Sequence, residues 1–301
     1  MAFEKVDFVG RWRVWFALSG VFLLLCLGAI LIRGMNFGID FQGGAKFTAS
    51  GVEGNPSAQE VRDTLPGNLG QDSIVQELGE GGYEVRTPVL TQEENTEVRQ
   101  ALDEEFGAEV SVTSISPTFG GQIREQALQA VAAALLIIVV FISFRFEFAF
   151  AMAAMAALVH DILITVGFYA LVGREVNLVT VVAVLTVLGY SLYDTIIIFD
   201  RIRENAPAAG YNRRHFDRMA NNSIQQVVMR SIYTSTVTLI PVTALLLFGE
   251  STLSDFAFAL LVGIAAGTYS SIFVATPVLC LYKAWRAGSI TRKAPRGAPT
   301  R

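Results

Sequence analysis

Long apolar stretches, separated by short polar segments, make up most of this chain. A helix needs about 20 mostly apolar residues to cross a hydrocarbon layer of about 30 Å. Six stretches reach this length, so the pattern predicts six transmembrane helices. They lie near residues 14–32, 125–144, 148–172, 178–199, 227–248 and 256–282. The first stretch is longer than the apolar part of a cleavable signal peptide and no clear cleavage site follows it, so we expect it to remain as a span.

One long polar segment, residues 34–123, lies between the first two apolar stretches. Polar and apolar residues alternate in KFTAS, YEVRTPV and EVSVTSI, as in half-buried strands. SAQEVRDTL and TQEENTEVRQALDEEF have helical spacing instead, with Ser57 and Thr91 placed as N-caps. The order strand, helix, strands, helix, strand predicts a small α+β domain of the ferredoxin-like type.

Composition and charge agree with a membrane protein. The chain is 52% hydrophobic and 17% charged, whereas soluble domains have about 25% charged residues. Short basic segments stay in the cytoplasm. With the N-terminus inside, the inner segments hold 16 Lys and Arg, and the two short outer loops hold only Arg174. We therefore expect both termini in the cytoplasm. The outer segment 34–123 has 15 acidic against four basic residues, which either form a solvated surface or have a specific electrostatic role.

The predicted fold is an α-helical membrane protein with one external α+β domain. Its parts are a cytoplasmic N-terminus (1–13), the first transmembrane helix (14–32), the external domain (33–123), a five-helix transmembrane bundle (124–284) and a basic cytoplasmic tail (285–301). Cys26 falls in the outer half of the first span and Cys280 at the inner end of the last. This separation exceeds the reach of a disulfide, so we expect both cysteines to be free.

Motifs for catalysis are scarce. We find no P-loop, no H-E-x-x-H and no cysteine pair for zinc, and the only histidines are His160 and His215. The sequence therefore indicates neither an enzyme nor a protein with a metal or cofactor. Energy for any transport would have to come from a source other than ATP bound to this chain.

An acidic residue, Asp194, interrupts the fourth apolar stretch. Carboxylates within the membrane are costly and usually mark ion or proton pathways. Ser191, three residues earlier, gives the same helix face a hydroxyl. Arg230 enters the fifth span from the same side at similar depth, with Tyr233 and Thr234 on its face, so we expect the two charges to meet. The alternatives are a purely structural ion pair, or an arginine that extends to the interface.

Two further polar features occur in the apolar stretches. His160 and Asp161 lie in the middle of the third span, where they either hold helices together or relay protons. The sixth span contains GIAAG, which places Gly263 and Gly267 in the G-x-x-x-G spacing of closely packed membrane helices. This face indicates a close neighbouring helix.

Over residues 12–285 the chain resembles the SecF subunits of the SecD/SecF family, relatives of the resistance-nodulation-division transporters. The motifs that carry the resemblance are GIDFQGG (38–44), FRFE (144–147), HDI (160–162), GYSLYDTIIIFDRIREN (189–205) and RSIYTSTVTL (230–239). By this resemblance Asp194 and Arg230 fall on a polar pair in the family's proton path, and Gly189, Ser191 and Asp200 on other positions of the same motif. Gln42 replaces an expected threonine, and Tyr193 and Tyr233 replace asparagines of many relatives, which changes the local hydrogen-bond network.

The resemblance implies a subunit of the bacterial Sec translocase in the inner membrane, which uses the proton-motive force with SecD to promote export through the SecYEG channel. Its implied partners are SecD, SecYEG, YajC, the unfolded polypeptide and membrane lipid, with no nucleic acid. The alternatives are half of a proton-driven small-molecule or lipid exporter, and a scaffold whose charges specify assembly.

GIDFQGG is either a turn or a contact with SecD or substrate. As a turn, Gly38, Gly43 and Gly44 supply positive φ beside Asp40. We expect this segment and SISPTFGGQ (114–122) to act as hinges for the external domain, because both are short and rich in Gly or Pro.

Overall fold

The computed structural model describes residues 6–78, 81–206, 212–249 and 251–293. The helices are α1 (Trp12–Arg33), α2 (Ile39–Gln42), α3 (Ala58–Asp63), α4 (Leu69–Asp72), α5 (Gln92–Phe106), α6 (Pro117–Arg145), α7 (Phe148–Val172), α8 (Leu178–Glu204), α9 (Arg213–Phe248), α10 (Ser251–Ser270) and α11 (Thr276–Lys293). The strands are β1 (Asn36–Phe37), β2 (Gly44–Ser50), β3 (Ile74–Leu78), β4 (Gly82–Thr87), β5 (Glu109–Ile115) and β6 (Glu175–Val176). A π-helical turn, Ser271–Ala275, joins α10 to α11.

Six helical segments of the described residues are long and apolar enough to cross a membrane, as predicted. They are α1, α6, α7, α8, α9 and the continuous α10–α11 segment. Helix α11 continues to Lys293, so part of the predicted tail 285–301 is helical, and residues 294–301 lie outside the described residues.

The external domain has the ferredoxin-like order that the sequence predicts. Along the chain its elements follow in the order β2, α3, β3, β4, α5, β5. The four strands form an antiparallel sheet in the spatial order β3-β4-β2-β5. The side chains of Phe47, Val85, Val98 and Leu102 fill a core between the sheet and its helices, and each is fully buried. The structure also contains strand β3 and the short parallel pair β1–β6, which were not among the alternating segments named in the sequence.

Capping residues begin helices α3 and α5 of this domain where the sequence places them. The Ser57 hydroxyl accepts a hydrogen bond from the Glu60 backbone N–H, and the Glu60 carboxylate accepts one from the Ser57 N–H. Thr91 and Glu94 form the same reciprocal pair at α5. Each pair satisfies two N–H groups that the helix itself leaves unpaired.

In the membrane bundle α7 and the α10–α11 segment are central. In an apolar 18-residue stretch of each span, 61% of the residues are buried in α7 and 67% in the α10–α11 segment, against 6% in α6. Alanines on α7 allow close approach of its neighbours. The buried members are Ala149, Ala151, Ala153, Ala154, Ala157 and Ala170. The glycine face of α10 packs within the chain, because a methyl on Gly263 would lie 2.4 Å from Val187 Cγ2 and one on Gly267 2.8 Å from Ser191 Cβ.

The connections between the domain and the bundle are built from regular elements. Residues 39–42 of GIDFQGG form the helical turn α2, which packs on the start of α6. The second connection is no loop either, since Ser116 caps α6 and the helix begins at Pro117. Gly43 and Gly44 have positive φ, at 78° and 131°, as expected. Gly38 does not, with φ −73°, and the prediction for that residue is wrong.

Candidate functional site

Asp194 lies on α8 inside the membrane bundle, and its side chain is only 1% exposed. Neither carboxylate oxygen has a hydrogen-bond partner among the described residues. A buried carboxylate without donors is expensive, because the burial removes water and nothing replaces it. Among the described residues of the bundle, Asp194 is therefore a buried acid whose carboxylate lacks the donors that Asp161 has.

Two serines of α9 are the nearest polar groups that influence the Asp194 carboxylate. They are Ser231 and Ser235, and both are buried. The Ser231 hydroxyl also lacks a partner in the described part of the chain. Ser235 shares a 2.6 Å hydrogen bond with the Thr268 hydroxyl and accepts one from the Tyr190 hydroxyl at 3.3 Å. A line of hydroxyl groups thus runs from Asp194 towards α10.

Arg230 influences Asp194 by its charge, but the expected ion pair is not formed in this conformation. The Arg230 side chain is exposed on the bundle surface, and its Nη2 donates to the Tyr193 hydroxyl at 3.4 Å. No ion pair joins Arg230 to Asp194 in the described ranges. Tyr193 and Tyr233 are exposed as well, while the Thr234 hydroxyl donates to carbonyl groups of its own helix at 3.0 Å. Of the predicted supporting residues in the described part of the chain, Tyr193 contacts the guanidinium of Arg230 and Thr234 contacts its backbone carbonyl.

Ser191 supports a different carboxylate from the one predicted. Its hydroxyl donates to Asp161 Oδ2 at 2.6 Å, and the Ser270 hydroxyl donates to the same oxygen at 2.8 Å. His160 Nδ1 lies 3.0 Å from Asp161 Oδ1. Asp161 therefore joins α7, α8 and α10 at a fully buried point. This geometry favours the interpretation of the His160–Asp161 pair as one that holds helices together.

The GIDFQGG residues lie at the N-terminal end of α8, far along the helix from Asp194. Asp40 Oδ2 accepts a hydrogen bond from the Leu178 backbone N–H at 2.9 Å, which caps the first residue of α8. A methyl on Gly38 would lie 2.0 Å from Glu175 Oε1, so a side chain there would displace the Glu175 carboxylate. A side chain at Gly43 would also meet a close neighbour, because an added methyl would lie 2.8 Å from the Pro117 backbone.

Asp200 and Gly189, the other motif positions, do not contact Asp194 through any hydrogen bond or ion pair in the described residues. Asp200 lies 3.6 Å from Arg145 Nη2 and 3.8 Å from Arg203 Nη2, at the other end of α8. This ion cluster gives the arginine of FRFE a structural partner. Gly189 is exposed, with open space where a methyl would be added.

Sequence reasoning missed Ser231, Ser235 and Ser270. The two serines of α9 have a usable signal, because they are four residues apart and so lie on one helix face next to that of Arg230. Ser270 has no such signal. Its role depends on how α10 crosses α7, which the local sequence does not show.

Two family profiles match the chain. The profile "Protein export membrane protein SecD/SecF, C-terminal" covers residues 96–285, which include Asp194, Arg230 and the Asp161 cluster. The chain belongs to the SecD/SecF family. A second profile, "SecD/SecF GG Motif", covers residues 28–50 and thus the GIDFQGG segment. The predicted family is confirmed.

Individual SecD/SecF proteins extend this result. The chain is 40% identical to the protein translocase subunit SecF of Desulfurispirillum indicum, over 89% of this chain and 88% of the relative. It is 39% identical to the corresponding subunit of Mycobacterium tuberculosis, over 91% of this chain and 66% of that protein.

Solved structures give the same answer for the fold. The crystal structure of Thermus thermophilus SecDF, described as a translocon-associated membrane protein, matches 93% of this chain with a TM-score of 0.85 and 33% identity. The match covers 39% of that SecDF chain. A SecDF structure in a super-membrane-facing form matches with a TM-score of 0.69. This chain therefore corresponds to part of the longer SecDF protein.

Proposed function

We propose that this chain is a proton-coupled subunit that promotes protein export across the bacterial inner membrane, together with a SecD-type partner beside a SecYEG channel. Both termini are cytoplasmic in this proposal, and the 33–123 domain faces outward. The unfolded polypeptide is the cargo, and YajC and membrane lipid are further neighbours. The names of the relatives, which are protein translocase subunits, support this assignment.

The observation that carries the proposal is the Asp194 carboxylate, buried without a hydrogen bond among the described residues. A buried carboxylate with a purely structural role is stabilised by the hydrogen bonds that it accepts, as Asp161 accepts them from Ser191 and Ser270. A carboxylate that must bind and release a proton needs an environment that does not hold one charge state permanently. Asp194 has such an environment.

Arg230 supplies the dependence on conformation. An approaching guanidinium stabilises an ionised carboxylate, whereas a dry apolar surrounding stabilises the neutral acid. In this structure the arginine contacts Tyr193 and forms no ion pair with Asp194 among the described residues. A shift of α9 against α8 would bring the two charges together, so protonation and helix position become linked.

The available energy is sufficient for such a cycle. One elementary charge moved through 100 mV corresponds to about 2.3 kcal/mol, so a potential of about 150 mV supplies about 3.5 kcal/mol per proton. By two-state arithmetic this moves a population from roughly 5:95 to roughly 95:5. One titrating carboxylate can therefore drive a conformational change.

The decisive experiment measures gradient-dependent export by vesicles that contain the channel, the partner and this chain. We expect Asp194→Asn, which keeps the shape of the neutral acid, to assemble normally and to lose the response to the gradient. Arg230→Met should have a similar effect. Glu204→Gln serves as the control, because Glu204 is an exposed residue at the end of the same helix.

Full gradient-dependent export by the Asp194→Asn protein would show that Asp194 is not the proton carrier. Damaged assembly with ordinary coupling would support the scaffold alternative. A purified chain that moved a small molecule or lipid without a SecD-type partner would support the exporter alternative.

A further inference from the structure

The outer end of α8 is fastened to the external domain by three kinds of contact. Strand β6, which directly precedes α8, pairs with β1 in the register Asn36↔Glu175 and Phe37↔Val176. The Asp40 carboxylate caps the helix through the Leu178 N–H at 2.9 Å. Arg86 of the domain's sheet forms a 2.9 Å ion pair with Glu175. Backbone, cap and charge therefore all act at the same point.

The Arg86–Glu175 ion pair is buried, with the Arg86 side chain 6% and the Glu175 side chain 9% exposed. Arg86 Nη2 has no hydrogen-bond partner in the described part of the chain. Of the other charges that act on Glu175, Lys46 and Glu84 belong to the same sheet, with Lys46 Nζ 3.4 Å and Arg86 Nε 3.7 Å from oxygens of Glu84, and Asp255 belongs to α10. The Glu175 carboxyl group is therefore the membrane bundle's contact with a buried arginine of the domain, and its removal would leave that arginine with Glu84 of its own sheet as the acidic neighbour.

The neighbouring glycines make this close contact possible. Glu175 occupies the space that a side chain at position 38 would need, and the Gly38 N–H donates to the Val176 carbonyl at 2.9 Å. Gly44 lies against the Thr87 carbonyl, where an added methyl would be 2.5 Å away. Such contacts leave little room for the dihedral changes of a hinge. Residues 38–44 are better suited to a rigid connection between the domain and the N-terminal end of α8.

Helix α8 connects this contact region to Asp194 without a break. It is one continuous helix from Leu178 to Glu204, so its first residue and Asp194 are about 24 Å apart at 1.5 Å per residue. The backbone hydrogen bonds of a regular helix join its successive turns, so the helix moves as one rigid element and passes a displacement along its axis. A shift of α8 at the depth of Asp194 would reach the domain directly.

We propose that Glu175 and Asp40 are positioning residues that make the external domain move with α8 as one body. The proposal rests on the proposed function for its purpose, since it identifies how proton-driven helix movement reaches the outside. It replaces the hinge expected at residues 38–44 with a rigid joint. The cargo-handling movement of the domain is then set by α8.

A distance measurement tests the joint independently of export. Spin labels are placed on exposed positions of the domain and of α8 by Gln100→Cys and Val182→Cys in the purified complex, with labelling of buried Cys26 and Cys280 measured on the unsubstituted chain. We expect a narrow distance distribution, which broadens when Asp40→Ala and Glu175→Gln are combined. An equally narrow distribution in the doubly substituted protein would overturn the proposal.

A nearby ion pair of similar length provides the matched control. Arg174 and Asp255 are 2.7 Å apart and join α10 to the same outer loop, and among the described residues neither forms an ion pair with the domain. Asp255→Asn should leave the distance distribution narrow. Broadening by Asp255→Asn as large as that of the Asp40→Ala, Glu175→Gln protein would mean that general loosening, and not the joint, controls the domain.

Export assays then connect the joint to function. We expect the Asp40→Ala, Glu175→Gln protein to lose at least about fivefold of gradient-dependent export, the lower range of allosteric coupling, while Asp255→Asn retains it. A disulfide between Phe37→Cys and Val176→Cys, which are register partners, should leave export intact. Loss of export that a reductant restores would overturn the rigid joint and favour the hinge. If Asp194→Asn exports fully, the proposed function fails, but the distance result still decides the joint.

Discussion

At the scale of single residues, two buried aspartates of the bundle have different surroundings. Asp161 accepts hydroxyl hydrogen bonds from two other helices and faces His160. Asp194 is also buried, but no hydrogen bond of normal geometry reaches its oxygens in the described residues, and Ser231 and Ser235 of α9 act on it more weakly. Hydrogen bonds to a carboxylate stabilise its charged form, so the environment holds Asp161 in place and leaves Asp194 responsive.

Glu175, outside the spans, gives a prediction about pH. Burial raises the pKa of its carboxyl from 4.5 to about 7, while Arg86 and Lys46 lower it and Glu84 and Asp255 raise it. Because the pKa is higher in the folded chain, the contribution of Glu175 to stability is fully present below about pH 4.5 and is lost as the pH rises through about 7. The Glu175→Gln protein lacks this dependence.

We therefore expect the stability of the native protein relative to Glu175→Gln to decrease between about pH 5 and about pH 7, by up to about 1.4 kcal/mol per pH unit. Melting temperatures of the purified complex, measured across this range, check the prediction. Glu97→Gln, on the exposed surface of α5, is the control and should differ from the native protein by a constant amount. A Glu175→Gln difference that stays constant or grows with pH would contradict the assignment.

At the scale of helices, the contact between α8 and α10 organises the bundle. Gly263 faces Val187 and Gly267 faces Ser191, so the two helices approach more closely than side chains would allow. The G-x-x-x-G face was expected to indicate a close neighbour, and that neighbour is α8 of the same chain. The contact also places Ser191 within reach of Asp161.

Gly267→Ala tests this contact. The added methyl would lie 2.8 Å from Ser191 Cβ, and such overpacking costs about 1–3 kcal/mol. We expect a lower melting temperature for the purified complex. Gly189→Ala is the matched control, since its methyl would enter open space on α8 and alanine favours a helix by about 1 kcal/mol. Equal effects of the two substitutions would argue against the tight crossing.

At the scale of the whole molecule, the bundle has unequal sides. The most apolar windows of α1 and α9 are only 17% buried, against 67% in the sixth span. The exposed surface of α9 also carries Arg230 beside Tyr193. A charged group exposed within a membrane span is costly unless another protein surface or water covers it. This side is therefore suited to a second membrane bundle.

We expect the chain alone to be inactive in export. In vesicles with the channel, the purified chain should give no gradient-dependent export, and addition of a SecD-type partner should restore it. The match to 39% of the Thermus SecDF chain agrees with a function that needs more than this part. Restoration of export by this chain without a partner would refute the expectation.

The sequence by itself determined the spans and the type of external domain. Within a bilayer the backbone must satisfy its own hydrogen bonds, so each long apolar stretch has to form a helix. The capping residues Ser57 and Thr91 act through neighbours three positions away, and such local contacts can be read from the order of residues. The spacing of strands and helices in residues 34–123 then left few topologies for a two-layer domain.

Only the tertiary structure decided which polar groups meet. Ser191 and Ser270 reach Asp161 from 30 and 109 positions away, and Arg86 reaches Glu175 across the boundary between domain and membrane. Asp194 and Asp161 look alike in the sequence, since each is one acid in an apolar run. Their difference depends on the rotation and crossing of separate helices, which local spacing does not specify. For the same reason the position of Arg230 on the outside of the bundle followed from packing alone.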